Sequence, residues 1–132
     1  VREGYLSKSD PAQRTRLEEH LRSADFFILP TRFEAYGIAF CEAAAYGIPA
    51  LGTRTGGVST IVEEGITGHL FDPYDRGVAY ADRIAQLIGD PQAWQRMRIR
   101  AHKRYEERFT WEAFVTALLA WAHDVGLVSN SR

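Results

Sequence analysis

The chain has 132 residues and little of several features that mark specialised classes of protein. It contains one cysteine, Cys41, so no disulfide can form within the chain, and a reducing, cytosolic compartment is the default expectation. Its 16 Lys and Arg nearly balance its 17 Asp and Glu, which argues against a polybasic nucleic-acid binder and against an acidic disordered tail. No apolar run approaches the roughly 20 residues that a membrane-spanning helix needs, and no signal-peptide pattern opens the sequence.

The residues that are present are those of a globular domain. Hydrophobic residues make up 45% of the chain and charged residues 25%, an ordinary balance for a water-soluble domain. The length suffices for one domain with a core, but it is short for a two-domain enzyme. The first residue is Val1 rather than Met, which hints at a fragment or a processed form.

Apolar runs alternate with amphipathic stretches in the first part of the chain. Asp10 as a cap and Pro11 at the first helical position predict a helix over residues 11–24. The apolar run at residues 25–30 favours a parallel strand that is buried on both faces. The same patterns predict a helix over 38–46, a strand over 47–53, a helix over 59–64, a strand over 68–71, and then helices over 77–88, 92–109 and 111–125, the last of them capped by Thr110.

This order predicts one α/β domain, with a Rossmann-like parallel sheet, flanking helices and a helical C-terminal region. Residues 1–72 form its α/β part and residues 73–132 its helical part. Ligands of such sheets bind outside the carboxyl ends of the strands. The loop at residues 30–37 leaves the first predicted strand there, and it carries Glu34 and Gly37.

The helix that follows this loop adds two features to the predicted crevice. The amides of Ile38 and Ala39 begin the helix, and a helix N-terminus attracts anions such as phosphate. Glu42 lies about one turn further on. Carboxylates beside a diphosphate repel it, by about 1 kcal/mol per charge pair even in water, so Glu34 and Glu42 make sense only if they accept hydrogen bonds from sugar hydroxyls. A nucleotide diphosphate sugar satisfies all these elements.

The same residues carry a resemblance to a known family. Glu34, seven intervening residues and Glu42, with Tyr36-Gly37 after the first Glu and AAAYGIP after the second, resemble the signature of family 4 (group 1) retaining glycosyltransferases. The resemblance spans roughly residues 17–115 and includes further blocks, namely ADFFILPT at 24–31, Gly56-Gly57, EGITGHLF at 64–71 and FTW at 109–111.

The resemblance implies a GT-B architecture in which this chain is the C-terminal, donor-binding domain, truncated at its N-terminus. It assigns Glu42 to the ribose hydroxyls and Glu34, the candidate catalytic residue, to the donor sugar. The backbone of four residues is expected to face the sugar and the diphosphate: Tyr36, Gly37, Ile38 and Ala39. Gly56 and Gly57 form a second candidate donor-site loop, with a plain turn between strand and helix as the equal alternative.

The family also implies the reaction and its partners. A sugar passes from a nucleotide diphosphate sugar to a sugar, lipid or small-molecule acceptor with retention of configuration. No metal and no further cofactor are expected. The acceptor-binding N-terminal domain of the same parent chain would be required, so the fragment alone should be inactive. The family's usual phosphate-binding Arg and Lys lie upstream of this sequence, and Thr60 stands where the family often has Glu.

Less specific interpretations stay open beside these. The chain could be a stand-alone nucleotide-binding or regulatory module, or an interaction protein that uses its C-terminal helices. The basic residues at 96–104 favour a solvated helix face, with peripheral contact to a membrane as the alternative. Arg32 is more simply a surface charge than a phosphate ligand, and His69 is most simply structural. Cys41 is expected to be a small buried residue, and packing is expected for Trp94, Trp111 and Trp121.

Overall fold

A computed structural model describes residues 3–127 of the chain. Within this range three strands form one parallel sheet in the order β1-β2-β3, and six helices accompany it. The strands are β1 (Phe27–Leu29), β2 (Ala50–Thr53) and β3 (Gly68–Phe71), and the helices are α1 (Pro11–Ser23), α2 (Ile38–Ala45), α3 (Val58–Ile61), α4 (Gly77–Gly89), α5 (Pro91–Arg108) and α6 (Trp111–Asp124). The predicted fold class and order of elements are confirmed.

The predicted helix caps are present. The Asp10 carboxylate accepts hydrogen bonds from the amides of Ala12 at 2.9 Å and Gln13 at 3.1 Å, and Pro11 follows at the first helical position. The hydrogen bond from the Gln13 amide is the main reason why the pKa of Asp10 lies below its ordinary value. Thr110 caps α6 in the same way, because its hydroxyl accepts the Ala113 amide at 3.1 Å.

The sheet separates two apolar clusters. One cluster contains Phe40, Val58 and Ile61, which are at most 2% exposed. Ala50 of β2 is buried in the same cluster. Leu51, the next residue of β2, lies on the other side with Phe71 and Tyr80, whose rings stack at a centroid distance of 3.9 Å. This alternation follows from the period of two along a strand, and it means that β2 is buried on both faces.

The first strand departs from the prediction. The sequence favours burial of β1 on both faces, but Ile28 is 46% exposed and its two strand neighbours are only partly buried. Among the described residues β1 pairs with β2 alone and forms an edge of the sheet. The described elements therefore cover the apolar side chains of β1 only in part.

Two arginine side chains of α5 donate hydrogen bonds to backbone carbonyl groups near the ends of α2 and α3. Arg98 Nε donates to the carbonyl of Gly47 at 3.1 Å, just beyond the end of α2. Arg104 donates to the carbonyls of Ile61 and Thr60 at 2.9 Å each, at the end of α3. These carbonyls lack helical partners, so the guanidinium groups satisfy them. The predicted solvated face is therefore wrong for Arg98 and Arg104.

Helix α6 carries an apolar stripe that is open to solvent in the described part of the chain. Trp111 is 78% exposed and Trp121 is 56% exposed, so the predicted packing of these two tryptophans is wrong. Their positions match the other exposed apolar residues of the stripe, at 114, 115, 118 and 119. Helix α6 contacts α5, but none of its described residues is fully buried. Trp94 behaves as predicted, because it is half-buried and its Nε1 donates to the Asp25 carbonyl at 3.2 Å.

Candidate functional site at the strand ends

Two loops meet at the edge of the sheet where strands β1 and β2 end. Because the strands are parallel, the loop at residues 30–37 and the loop at residues 54–57 leave from the same edge. The Gly57 amide donates to the carbonyls of Glu34 and Ala35, at 3.2 Å each. The Thr55 hydroxyl adds a hydrogen bond to a carbonyl of the first loop at 3.3 Å. The two loops are thus held together mainly through backbone atoms.

The glycine pair is what allows this contact. A Cβ atom at Gly56 would lie 1.7 Å from the Glu34 carbonyl oxygen, and Gly56 also has a φ of +48°. A Cβ atom at Gly57 would lie 2.7 Å from the Ala35 carbonyl oxygen and 2.8 Å from that of Tyr36. All three distances are below van der Waals contact. The pair therefore does more than turn the chain, because it supports the backbone of the loop that carries Glu34.

Glu34 closes this loop onto the start of α2. Its Oε1 accepts the Gly37 amide at 3.0 Å, and its side chain is only partly exposed. Gly37 is the N-cap of α2 with a φ of +95°, a conformation that favours glycine. A Cβ atom there would approach Ile61 and Phe40 to 3.1 Å. Because Oε2 of Glu34 makes no hydrogen bond to the described residues, it is the oxygen available to a ligand hydroxyl.

The N-terminus of α2 is open at the position that the sequence predicts. Gly37 provides no side chain to cap the first turn, so the amides of Ile38 and Ala39 lie at the positive end of the helix without a capping side chain. Ile38 itself is 65% exposed. The arrangement favours an anion in front of the helix.

Glu42 lies one turn into α2 and lines a cavity of about 680 Å³ between α1, α2 and α5. Its side chain is 38% exposed, and Lys8 Nζ donates to its Oε1. Arg14 and Glu18 of α1 line the same cavity and pair with each other at 3.1 Å. Sequence reasoning did not find Lys8, because 34 residues separate it from Glu42 and no local pattern signals the contact.

A second groove begins beside this cavity. It has a volume of about 490 Å³ and lies between the start of α2, with Tyr36 and Ile38, and the start of α6, with Trp111 and Phe114. Ile38 lines both concavities, whereas Glu34 and Gly37, in the loop before α2, line neither of them. The structure therefore places the predicted residues around one end of α2, with Glu42 on the side of α1.

Cys41 lies between the cavity and the groove. It is 9% exposed and packs in the core cluster of Phe40. Burial raises the pKa of its thiol above the ordinary value, although a hydrogen bond with Tyr36 opposes the shift. The thiol form, which is not the nucleophile, is thus the stable one. The expected packing role of Cys41 is confirmed.

A polar cluster around the partly exposed Glu64 lies at strand β3. His69 of β3 is 7% exposed, and its Nδ1 lies 2.8 Å from Glu64 Oε1. The Leu70 amide donates to Glu64 Oε2 at 2.6 Å, and Arg54 lies 3.5 Å from the same oxygen. Partial burial alone would raise the pKa of Glu64, but these partners outweigh it and hold the pKa below the ordinary value. His69 is therefore structural.

A parallel sheet whose carboxyl edge carries a helix that begins at a glycine N-cap, with carboxylates in the adjoining loop and helix, defines a Rossmann-like domain. The model of the family described as "Glycosyl transferases group 1" matches residues 10–104. The chain belongs to this glycosyltransferase family, as its sequence predicts. Helix α6 lies outside the matched range.

Individual relatives agree with this assignment. The chain is 35% identical over 104 residues to a sucrose synthase of Denitrovibrio acetiphilus, a match that covers 76% of this chain and 13% of the relative. Its structure resembles a sucrose-phosphate synthase of Thermosynechococcus elongatus, with a TM-score of 0.71, 25% identity, and coverage of 86% of this chain and 28% of that one. It also resembles Anabaena HepE, solved in complex with UDP-glucose, with a TM-score of 0.68, 22% identity, and coverage of 89% and 35%.

The chain spans between 12 and 30% of the length of the curated relatives it matches. Within the described residues, no helix is both long enough and apolar enough to cross a membrane.

Proposed function

We propose that this chain forms the donor-binding part of an enzyme that transfers a sugar from a nucleotide diphosphate sugar to an acceptor. The observation that carries the proposal is the placement of Glu42 one turn behind the open N-terminus of α2, at the carboxyl edge of a parallel sheet. This places a hydroxyl acceptor and an anion-binding helix end about one helical turn, roughly 5 Å, apart. This pair of neighbouring groups is complementary to a ribose and the diphosphate attached to it.

Each residue then has a distinct task. Glu42 accepts hydrogen bonds from the two ribose hydroxyls, and the amides of Ile38 and Ala39 face the diphosphate. As the bond to the sugar breaks, negative charge grows on the leaving diphosphate, and fixed amide dipoles stabilise that charge without reorganising. Glu34 presents Oε2 toward the donor sugar while its Oε1 holds the Gly37 amide. Tyr36, with half of its surface exposed, flanks the same loop.

The finer points of the proposal come from the family resemblance. They are retention of configuration, independence from a metal, and an acceptor-binding N-terminal domain in the same parent chain. A cytoplasmic location rests on the single cysteine, and peripheral membrane contact, its variant, rests on the basic residues at 96–104. The UDP-glucose bound to the structural neighbour HepE supports a nucleotide sugar as the class of donor. Binding without turnover by a stand-alone module is the competing proposal, and an assay for sugar transfer by the parent protein separates the two.

The test of the site is a calorimetric titration of the chain with UDP, GDP and ADP. We expect Glu42→Ala to weaken the preferred nucleotide by about 10- to 100-fold, because hydrogen bonds to a charged group contribute about 1.5–3 kcal/mol. Glu18→Ala is the matched control, since Glu18 lines the same cavity from α1 but already pairs with Arg14. Equal affinities of the wild type and Glu42→Ala would contradict the assignment of Glu42 to the ribose.

A further inference from the structure

The proposed site contains an electrostatic conflict. A diphosphate carries negative charge, and Glu42 adds a carboxylate on the same helix that is proposed to receive it. Like charges in a partly buried cavity repel more strongly than in bulk water, because the effective dielectric constant is lower. A site of this kind needs a positive charge close to Glu42. The sequence provides none nearby on α2, whose residues are IAFCEAAA.

The structure supplies that charge from another part of the chain. Lys8 Nζ donates to Glu42 Oε1, and both residues line the cavity beside α2. Arg14, a second cation in the lining, is engaged with Glu18 on its own helix. Lys8 is thus the cation that the geometry associates with the carboxylate of the proposed ribose site.

The backbone around Lys8 is ordered by its own hydrogen bonds. The Ser7 amide donates to Gln13 Oε1 at 2.8 Å, and the Asp10 amide donates to the Ser7 carbonyl at 3.3 Å. Asp10 in turn caps α1, so the turn that carries Lys8 is tied to the helix that forms one wall of the cavity. These hydrogen bonds therefore hold the backbone of Lys8 in the position from which its ammonium group contacts Glu42.

We propose that Lys8 supports the donor site electrostatically: it neutralises the charge of the Glu42 carboxylate so that a nucleoside diphosphate can bind beside it. The proposal rests on the proposed function. Lys8 donates to Oε1, and the carboxylate keeps further acceptor capacity for the ribose hydroxyls. Through this contact Lys8 favours ligands that bring phosphate charge to Glu42, and it has little influence on an uncharged nucleoside.

The experiment compares UDP with uridine by calorimetric titration of the whole chain. We expect Lys8→Met to weaken UDP binding by about two- to fivefold, the effect of a partly exposed ion pair, and to leave uridine binding unchanged. Lys8→Arg retains the charge and should bind UDP like the wild type. In a Glu42→Ala background, Lys8→Met should have no further effect on UDP, because the charge that Lys8 neutralises is gone.

Three outcomes would overturn the proposal. Equal weakening of UDP and uridine by Lys8→Met would mean that Lys8 only supports the fold of the cavity. Tighter UDP binding by the same variant would mean that Lys8 blocks the site. A full effect of Lys8→Met in the Glu42→Ala background would mean that Lys8 acts independently of Glu42. The proposed function fails separately, if Glu42→Ala binds UDP as well as the wild type does.

Discussion

A methyl group at Gly56 tests whether the glycine pair supports the candidate site. In Gly56→Ala the new Cβ atom would lie 1.7 Å from the Glu34 carbonyl oxygen, so one of the two loops has to move. The φ of +48° adds a left-handed conformation that disfavours alanine. The conformation costs about 1–2 kcal/mol and overpacking about 1–3 kcal/mol. We expect a loss of about 2–5 kcal/mol, a large share of the roughly 5–15 kcal/mol by which a domain is typically stable.

Two other glycines separate these contributions. Gly65 has a φ of +72° but open space where a Cβ atom would lie, so Gly65→Ala should cost only the conformational part, about 1 kcal/mol. Gly77 begins α4 with open space and without a positive φ, so Gly77→Ala should be neutral or stabilise the protein by up to about 1 kcal/mol. The difference between Gly56→Ala and Gly65→Ala therefore measures the steric contact with the Glu34 loop.

The assay is urea denaturation of the three variants, followed by titration with the nucleotide that the wild type prefers. Gly56→Ala should unfold at the lowest urea concentration, and at temperatures where it is still folded it should bind the nucleotide more weakly, because the loop that carries Glu34 is displaced. Gly65→Ala should bind like the wild type. The reasoning is refuted if Gly56→Ala is no less stable than Gly65→Ala, because the loops would then not be in contact as described.

Two further predictions concern the core and the ionic group beside β3. Phe40 is fully buried and meets Phe27 edge to face, so Phe40→Ala should lower the free energy of unfolding by about 3–5 kcal/mol. Phe114→Ala on the exposed stripe of α6 should change it by less than about 1 kcal/mol. Similar losses for the two variants in urea denaturation would contradict the described core. The lowered pKa of Glu64 stabilises the folded state above the unfolded-state pKa of about 4.3, and this contribution is lost as the pH falls through the folded-state pKa. Glu64→Gln should thus be less stable than the wild type at pH 7, by about 1 kcal/mol at its partly exposed position, and thermal unfolding should show the difference closing at acidic pH; a gap that stays constant down to about pH 3 would contradict it.

Much of the fold could be predicted because its signals are local. Asp10 and Thr110 cap helices within three residues of themselves, and the strand at Gly68–Phe71 has the predicted bounds. Errors arose where burial depends on distant elements. The sequence at β1 is apolar enough for two covered faces, but the described neighbours leave Ile28 exposed.

In the candidate site, too, the local features could be predicted from the sequence and the long-range contacts could not. Its position at the end of β1 and the open start of α2 follow from the order of strand, loop, glycine and helix. The contact of Gly57 with the Glu34 loop and that of Lys8 with Glu42 join residues 23 and 34 positions apart, and only tertiary packing brings them together. The contacts of Arg98 and Arg104 could not be predicted either. The spacing of basic residues along α5 does not show that carbonyl groups elsewhere in the chain need hydrogen-bond donors.

The way the two site loops are joined has a consequence for how such a domain can diversify. The Gly57 amide donates to the carbonyl groups of Glu34 and Ala35, which every amino acid possesses, while Ala35 and Tyr36 themselves are exposed residues. Substitutions at these two positions can therefore alter what the crevice touches without loosening the loop that shapes it. Under the proposed function, such a scaffold separates the backbone contacts that set the geometry of the loop from the side chains that a ligand would meet.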